Sequence, residues 1–154
     1  MKVFHSIVSA DIMRYFSCVR GASLMNNAAN TCSIEQVLSA ASIFCPEILE
    51  VNGCIFIAEF YNGNIIDLER VYEYDRKQIE LYVNSWSLAD FFLLAGDESL
   101  LVDEIVEEFG KTLQYFWKIR MKELFPGRDI VVELGYEIMG EQGLSITVYQ
   151  KNRK

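Results

Sequence analysis

From Glu98 to Phe125 apolar side chains return at helical spacing, and this one segment constrains the rest of the fold. Placed at about 100° per residue, Leu101, Val102, Ile105, Val106, Phe109, Leu113, Phe116, Trp117 and Leu124 fall on one side of a helix. Asp103, Glu104, Glu107, Glu108, Lys111, Lys118 and Lys122 fall on the other. A strand alternates its faces and would mix the two sets. A helix this long cannot leave so wide an apolar stripe in water, so other elements must cover it. Its acids precede its bases, an order that complements the helix dipole by about 0.3–1 kcal/mol per well-placed charge. "FPGRD" stops it.

The remaining chain supplies helices and strands in blocks. "DIMRYFSCVRGASLMNN" has helical spacing, and "SIEQVLSAASIF" opens on Ser33-x-x-Gln36, a capping box. Pro46 ends this helical part, about residues 10–45. "ILEVNGCIFIAEFY" follows, with Asn52-Gly53 between apolar runs, the turn pair that a two-residue hairpin demands. "NGN" at 62–64 marks a second turn, and "IIDLERVYEY" is expected as a third strand, which places a hairpin and strand at about 48–74. Asp75 is expected to cap "RKQIELYVNSW", and Ser87-x-x-Asp90 to form a capping box opening "LADFFLLA", so helices fill about 76–125. The tail, about 129–150, reads as two strands joined by a turn at Gly140–Gly143. With no linker, repeat or low-complexity tract, residues 1–154 are expected to form a single α+β domain. Its sheet should be mainly antiparallel, with helices packed on one face. A hydrophobic content of 51% gives such a domain enough core to offset its ordering entropy.

The net charge of −8 is unevenly distributed. Residues 1–44 carry +1, residues 45–110 carry −12 and residues 111–154 carry +3. Such a field repels phosphate, which argues against nucleic acid and anionic membrane surfaces as partners. It favours a cationic partner, or serves solubility alone. The four cysteines, Cys18, Cys32, Cys45 and Cys54, match no zinc spacing, and most sit in apolar surroundings. They are expected to be buried reduced thiols, consistent with a reducing cytoplasm. The N-terminus is a poor signal peptide, because its apolar run is short and broken by His5 and Ser6. The later run "FFLLA" is far shorter than a membrane span. A soluble cytoplasmic protein is therefore expected.

No nucleophile elbow, phosphate loop, dinucleotide fingerprint or zinc-protease motif is present, and His5 is the one histidine. The densest carboxylates lie on a solvated helix face, whereas catalysis wants burial or a specific charged partner. No catalytic residue, metal ligand or cofactor is therefore assigned. Asp103 with Glu107, and Glu104 with Glu108, have the spacing to hold a hard cation weakly, but without the loop of a calcium site. Arg120, on the apolar side of the long segment, reads as a snorkelling or paired arginine. Glu80 and Asn84 share a helix face, with Asp90 beyond, and suit capping and local hydrogen bonds or a polar pocket.

The acidic surface is the main functional signal. A solvated helix face accounts for Asp103 to Glu108 taken alone. If the preceding segment lies beside that helix, Glu69, Glu73 and Asp75 would join one field, with Tyr72 or Tyr74 as an aromatic anchor. Such a field raises the association rate of a cationic partner by about 10- to 1,000-fold at low salt.

Several stretches carry a family likeness. "FCPEILEVNGCIFIAEFY", "IELYVNSWSLADFF", "LFPGRDIVVEL" and "LSITVYQK", spread over about residues 44–150, resemble bacterial immunity proteins of polymorphic toxin systems, including contact-dependent growth inhibition. The likeness lies in a pattern: a Pro-led hairpin, an Ile-Glu…Asn…Asp-Phe helix pair and a Phe-Pro before the final strands. It implies a small cytoplasmic protein without catalytic residues that neutralises one cognate toxin C-terminal domain, often a basic nuclease. The partner-binding residues would then be Glu69, Tyr72, Glu73, Tyr74, Asp75, Asp103, Glu104, Glu107 and Glu108. An acidic adaptor or subunit of another system is the alternative.

Overall fold

The computed structural model describes residues 1–151. The chain is α+β, with two small antiparallel sheets. A short 3-10 turn, Ala10–Tyr15, precedes helix α1 (Leu24–Thr31) and helix α2 (Ile34–Phe44). The Ser33–Gln36 capping box forms as expected, each side chain meeting the other's backbone N–H. No residue of α1 or α2 is fully buried. Only the end of α2 is anchored firmly. There the Trp117 indole N–H donates to the Ile43 carbonyl (2.8 Å) and Phe44 packs beside Phe109 and Phe116.

Strands β1 (Ile48–Val51) and β2 (Cys54–Ile57) form the hairpin, in the register Ile48↔Ile57 to Val51↔Cys54. Asn52 (φ 51°) and Gly53 (φ 81°) both take positive φ, as the turn requires. The next segment departs from expectation. Residues 65–71 form helix α3 (Ile65–Val71), not a strand. Ile65, Leu68 and Tyr72 recur at helical spacing and pack together on the hairpin, which outweighs the strand preference of the β-branched residues. Glu73 (φ 49°) and Tyr74 (φ 62°) close the helix in left-handed conformations, with Tyr74 N–H reaching the Glu69 carbonyl (2.8 Å). Asp75 then caps helix α4 (Arg76–Asn84) by accepting from Gln78 N–H, as expected.

The capping box anticipated at Ser87 is absent. Trp86–Ser87 forms a short strand, β3, paired with Ile146 and Ser145, and the 3-10 turn Asp90–Phe92 has no side-chain cap. Pairing with the central strand of a sheet takes Ser87 away from any cap role. The long segment is also divided. A 3-10 turn, Glu98–Leu101, is capped by Asp97, and helix α5 (Asp103–Leu124) starts afresh after Val102. Strands β4 (Ile130–Tyr136) and β5 (Leu144–Gln150) pair antiparallel, giving the second sheet the order β3-β5-β4.

The hairpin is covered from both sides. Ile55 and Ile57 join Leu113, Trp117 and Met121 of α5, Val132 of β4, and Ile146 and Val148 of β5 in the main core. Cys54 and Phe56, on the other face, pack with Ile79 of α4 and the apolar side of α3. Gly110 lets α5 approach closely, since a Cβ there would lie 2.7 Å from a Leu88 methyl.

The two sheets are joined by side chains of α4. Asn84, fully buried, accepts from Ile57 N–H (3.0 Å) and donates to the carbonyls of Ile55 (2.8 Å) and Val148 (2.9 Å). Glu80, also fully buried, accepts from Ile55 N–H (2.7 Å) and from the backbone and side-chain N–H groups of Gln150 (both 2.6 Å). These residues therefore bridge distant backbone rather than serve local capping. Burial pushes the Glu80 carboxyl above the usual carboxylate range, against the pull of its donors and of Arg76.

The cysteines correct another expectation. Only Cys54 is buried; Cys18, Cys32 and Cys45 are exposed, because the helical part that carries them, or ends at them, lies largely on the surface. Burial, with Glu80 nearby, raises the Cys54 thiol to about 11. Arg120 pairs with Glu123 one turn on (3.3 Å). No helix among the described residues is long and apolar enough to cross a membrane.

Candidate functional site

The nine partner-binding candidates fall into two groups, on elements packed against opposite faces of the hairpin. The first is the N-terminal half of α5. Asp103, Glu104 and Glu107 are exposed and Glu108 is half-buried. Only Glu107 has an ion-pair partner among the described residues, Lys111 one turn on (3.3 Å). Between Lys77 and Lys111 the chain holds eight acids and no basic residue. The same stretch exposes large apolar side chains: Leu93, Leu94 (101% exposed) and Leu101, which was expected on the covered stripe of the long helix but lies in the 3-10 turn ahead of α5. Carboxylates beside uncovered leucines combine long-range attraction with apolar surface to bury on contact.

The second group lies at the corner between α3 and α4, and its members have separate local tasks. Glu69 accepts from the Asn52 side chain at the hairpin turn (3.1 Å). Tyr72 packs into the second core and lies 5.4 Å from the Tyr82 ring, its hydroxyl pushed up by burial and by that neighbour. Glu73 and Tyr74 are exposed, and Asp75 is a helix cap. Tyr74 and Asp75 border an open hollow of about 850 Å³ that Arg76, Arg128 and Lys151 also line. There Glu50 pairs with Arg128 (2.5 Å) and Asp129 with Lys151 (3.4 Å), so the corner is charge-balanced. The structure does not unite Glu69, Glu73 and Asp75 with the acids of α5.

A third surface was not anticipated. Two adjoining hollows, of about 740 and 390 Å³, share Phe60, Trp86 and Asp90. Phe60 and Trp86 stack with centroids 4.6 Å apart and planes 11° from parallel, and Phe91 meets Phe60 edge-on at 6.0 Å. Glu47, Glu59 and Asp90 line the larger hollow and Glu141 the smaller. The hairpin ladder brings Glu47 and Glu59 together, since Ala58 N–H donates to the Glu47 carbonyl (2.9 Å). Among the described residues, no lysine or arginine lines either hollow. The sequence held a partial signal, an acid beside an aromatic in both "AEFY" and "LADFF". Their meeting depends on β3 joining β5, which the sequence reading missed.

Phe91 and Phe92 both contact Phe109 of α5, so a run of rings connects this groove to the acidic helix. Among the described residues no group of three or more His, Cys, Asp or Glu is arranged to hold a metal ion. Comparison with known proteins finds no matching family model, no significant match to a curated protein and none to a solved structure.

Proposed function

We propose that this chain is a cytoplasmic, non-catalytic binding protein that captures a positively charged protein, and that this partner is the C-terminal domain of a bacterial toxin. The observation that carries the reading is the stretch 93–108. There Asp97, Glu98, Asp103 and Glu104 have no ion-pair partner among the described residues and lie close in sequence to the exposed Leu93, Leu94 and Leu101. A charge field of one sign draws in a cationic partner and disfavours others, while leucines that become buried on contact slow its release. A basic nuclease domain presents a surface made for phosphate, and carboxylates can occupy it in phosphate's place. The immunity role itself rests on the sequence resemblance.

The test is a pull-down with the toxin domain encoded in the reading frame beside this gene, together with protection of cells expressing that domain. A one-to-one complex and survival are expected. Neighbouring frames that encode no secreted-toxin C-terminus, or a toxin domain that this chain neither binds nor neutralises, would defeat the immunity reading. An acidic adaptor would instead capture a basic partner that is not a toxin.

A further inference from the structure

The groove across Phe60 and Trp86 has the composition of a socket for one cationic side chain. Phe60, Trp86 and Phe91 stand in its walls, carboxylates stand among its lining, and no basic residue lines it among the described residues. The side chains of Glu47, Glu59 and Asp90 form no ion pair or hydrogen bond among the described residues. Trp86 keeps 37% of its surface exposed although it is stacked on Phe60 and tied into the sheet by its backbone. A half-open indole beside unpaired acids is a poor choice for stability alone. Apolar burial is incomplete there, and like charges near one another repel.

We infer that this groove receives an arginine side chain of the basic partner. A guanidinium is planar and weakly hydrated, so it can lie against an aromatic face while its N–H groups pair with carboxylate oxygens. Both kinds of wall are present, and Asp90 borders both hollows. An ammonium would gain the charge term but lose the stacking and the paired hydrogen bonds. The inference rests on the reading that the partner is cationic. It adds a second, aromatic contact point to the acidic helix, joined to it through Phe91 and Phe109.

The experiment needs no identified partner. N-acetyl-Gly-Arg-Gly-amide is titrated into the full chain while the Trp86 indole N–H and the Asp90 and Phe91 amides are followed by NMR. The same peptide with citrulline, a neutral isostere of arginine, is the control. Saturable shifts at these groups are expected, with citrulline binding at least about fivefold more weakly. Neutralising the exposed rim, E59Q with D90N, should weaken arginine binding by a similar factor, and W86L by about two- to fivefold. E104Q with E107Q, on the acidic helix, should leave the peptide shifts at Trp86 in place. Equal response to arginine and citrulline, no saturable shift at Trp86, or indifference to E59Q/D90N would overturn the inference. A toxin domain that binds wild type and a folded E59Q/D90N variant equally would also overturn it while leaving the proposed function standing.

Discussion

Replacing Asn84 by alanine should unhinge the two sheets from each other. Asn84 satisfies three backbone groups on two strands: Ile57 N–H, Ile55 C=O and Val148 C=O. All of this lies in the interior, where Asn84, Ile55, Ile57 and Val148 are buried. An orphaned buried polar group costs about 1–3 kcal/mol. Three of them, with some relaxation toward solvent, give a loss of about 3–6 kcal/mol, a large part of the roughly 5–15 kcal/mol that holds a domain together. Asn84→Asp separates volume from hydrogen bonding. It keeps the size and the acceptor for Ile57 but turns an oxygen toward two carbonyl oxygens, so it should be at least as damaging. Urea unfolding followed by far-UV circular dichroism gives the stability change. Amide exchange reports the local effect, and Ile57 N–H should lose protection before the β4–β5 ladder does. A loss below about 1 kcal/mol, the range of an ordinary surface substitution, with Ile57 still protected, would refute the reasoning.

Three further outcomes follow from the same geometry. Burial raises the Glu80 carboxyl above its unfolded value, so its relative stabilisation is complete at low pH and declines as pH rises through the raised value. Urea unfolding across that range should show the wild type losing stability relative to E80Q, and parallel curves would contradict this. In native protein, Cys18, Cys32 and Cys45 should react promptly with an alkylating agent, while Cys54 reacts only on unfolding. Mass spectrometry of the labelled chain counts them, and rapid labelling of Cys54 would be the contrary result. Leu94→Ser should leave thermal stability unchanged, because the side chain is fully exposed, yet should speed dissociation of the proposed basic partner in surface plasmon resonance. An unchanged dissociation rate would remove Leu94 from the interface.

Where one local rule governed a segment, the sequence was readable. Asn52-Gly53 specified a hairpin turn because few residues other than Asn and Gly accept its backbone, and the stripe of α5 could belong only to a helix. Ser33 and Asp75 were visible as caps for the same reason. Residues 65–71 were misread because Ile, Val and Tyr favour strands in general, while the spacing of Ile65, Leu68 and Tyr72 suits a helix lying on Phe56. Ser87 was misread because a cap and a short edge strand share the same letters, and only the arrival of β5 decides between them. Glu80 and Asn84 stood out as polar residues on one helix face, but their partners lie far along the chain, at Ile55, Val148 and Gln150. The acidic helix could be read from local periodicity. The aromatic groove could not, since Glu59, Phe60, Trp86 and Asp90 meet only after two sheets have formed.

Carboxylates of α5 are proposed to steer a basic partner. The test is stopped-flow association of the proposed toxin-domain partner with wild type and with E104K/E107K/E108K, across rising ionic strength. The wild-type rate should fall by at least about tenfold as salt shortens the screening length from about 30 to 8 Å. The charge-reversed variant should start slow and respond little. Equal rates for the two proteins, or a wild-type rate indifferent to salt, would rule out electrostatic steering by α5.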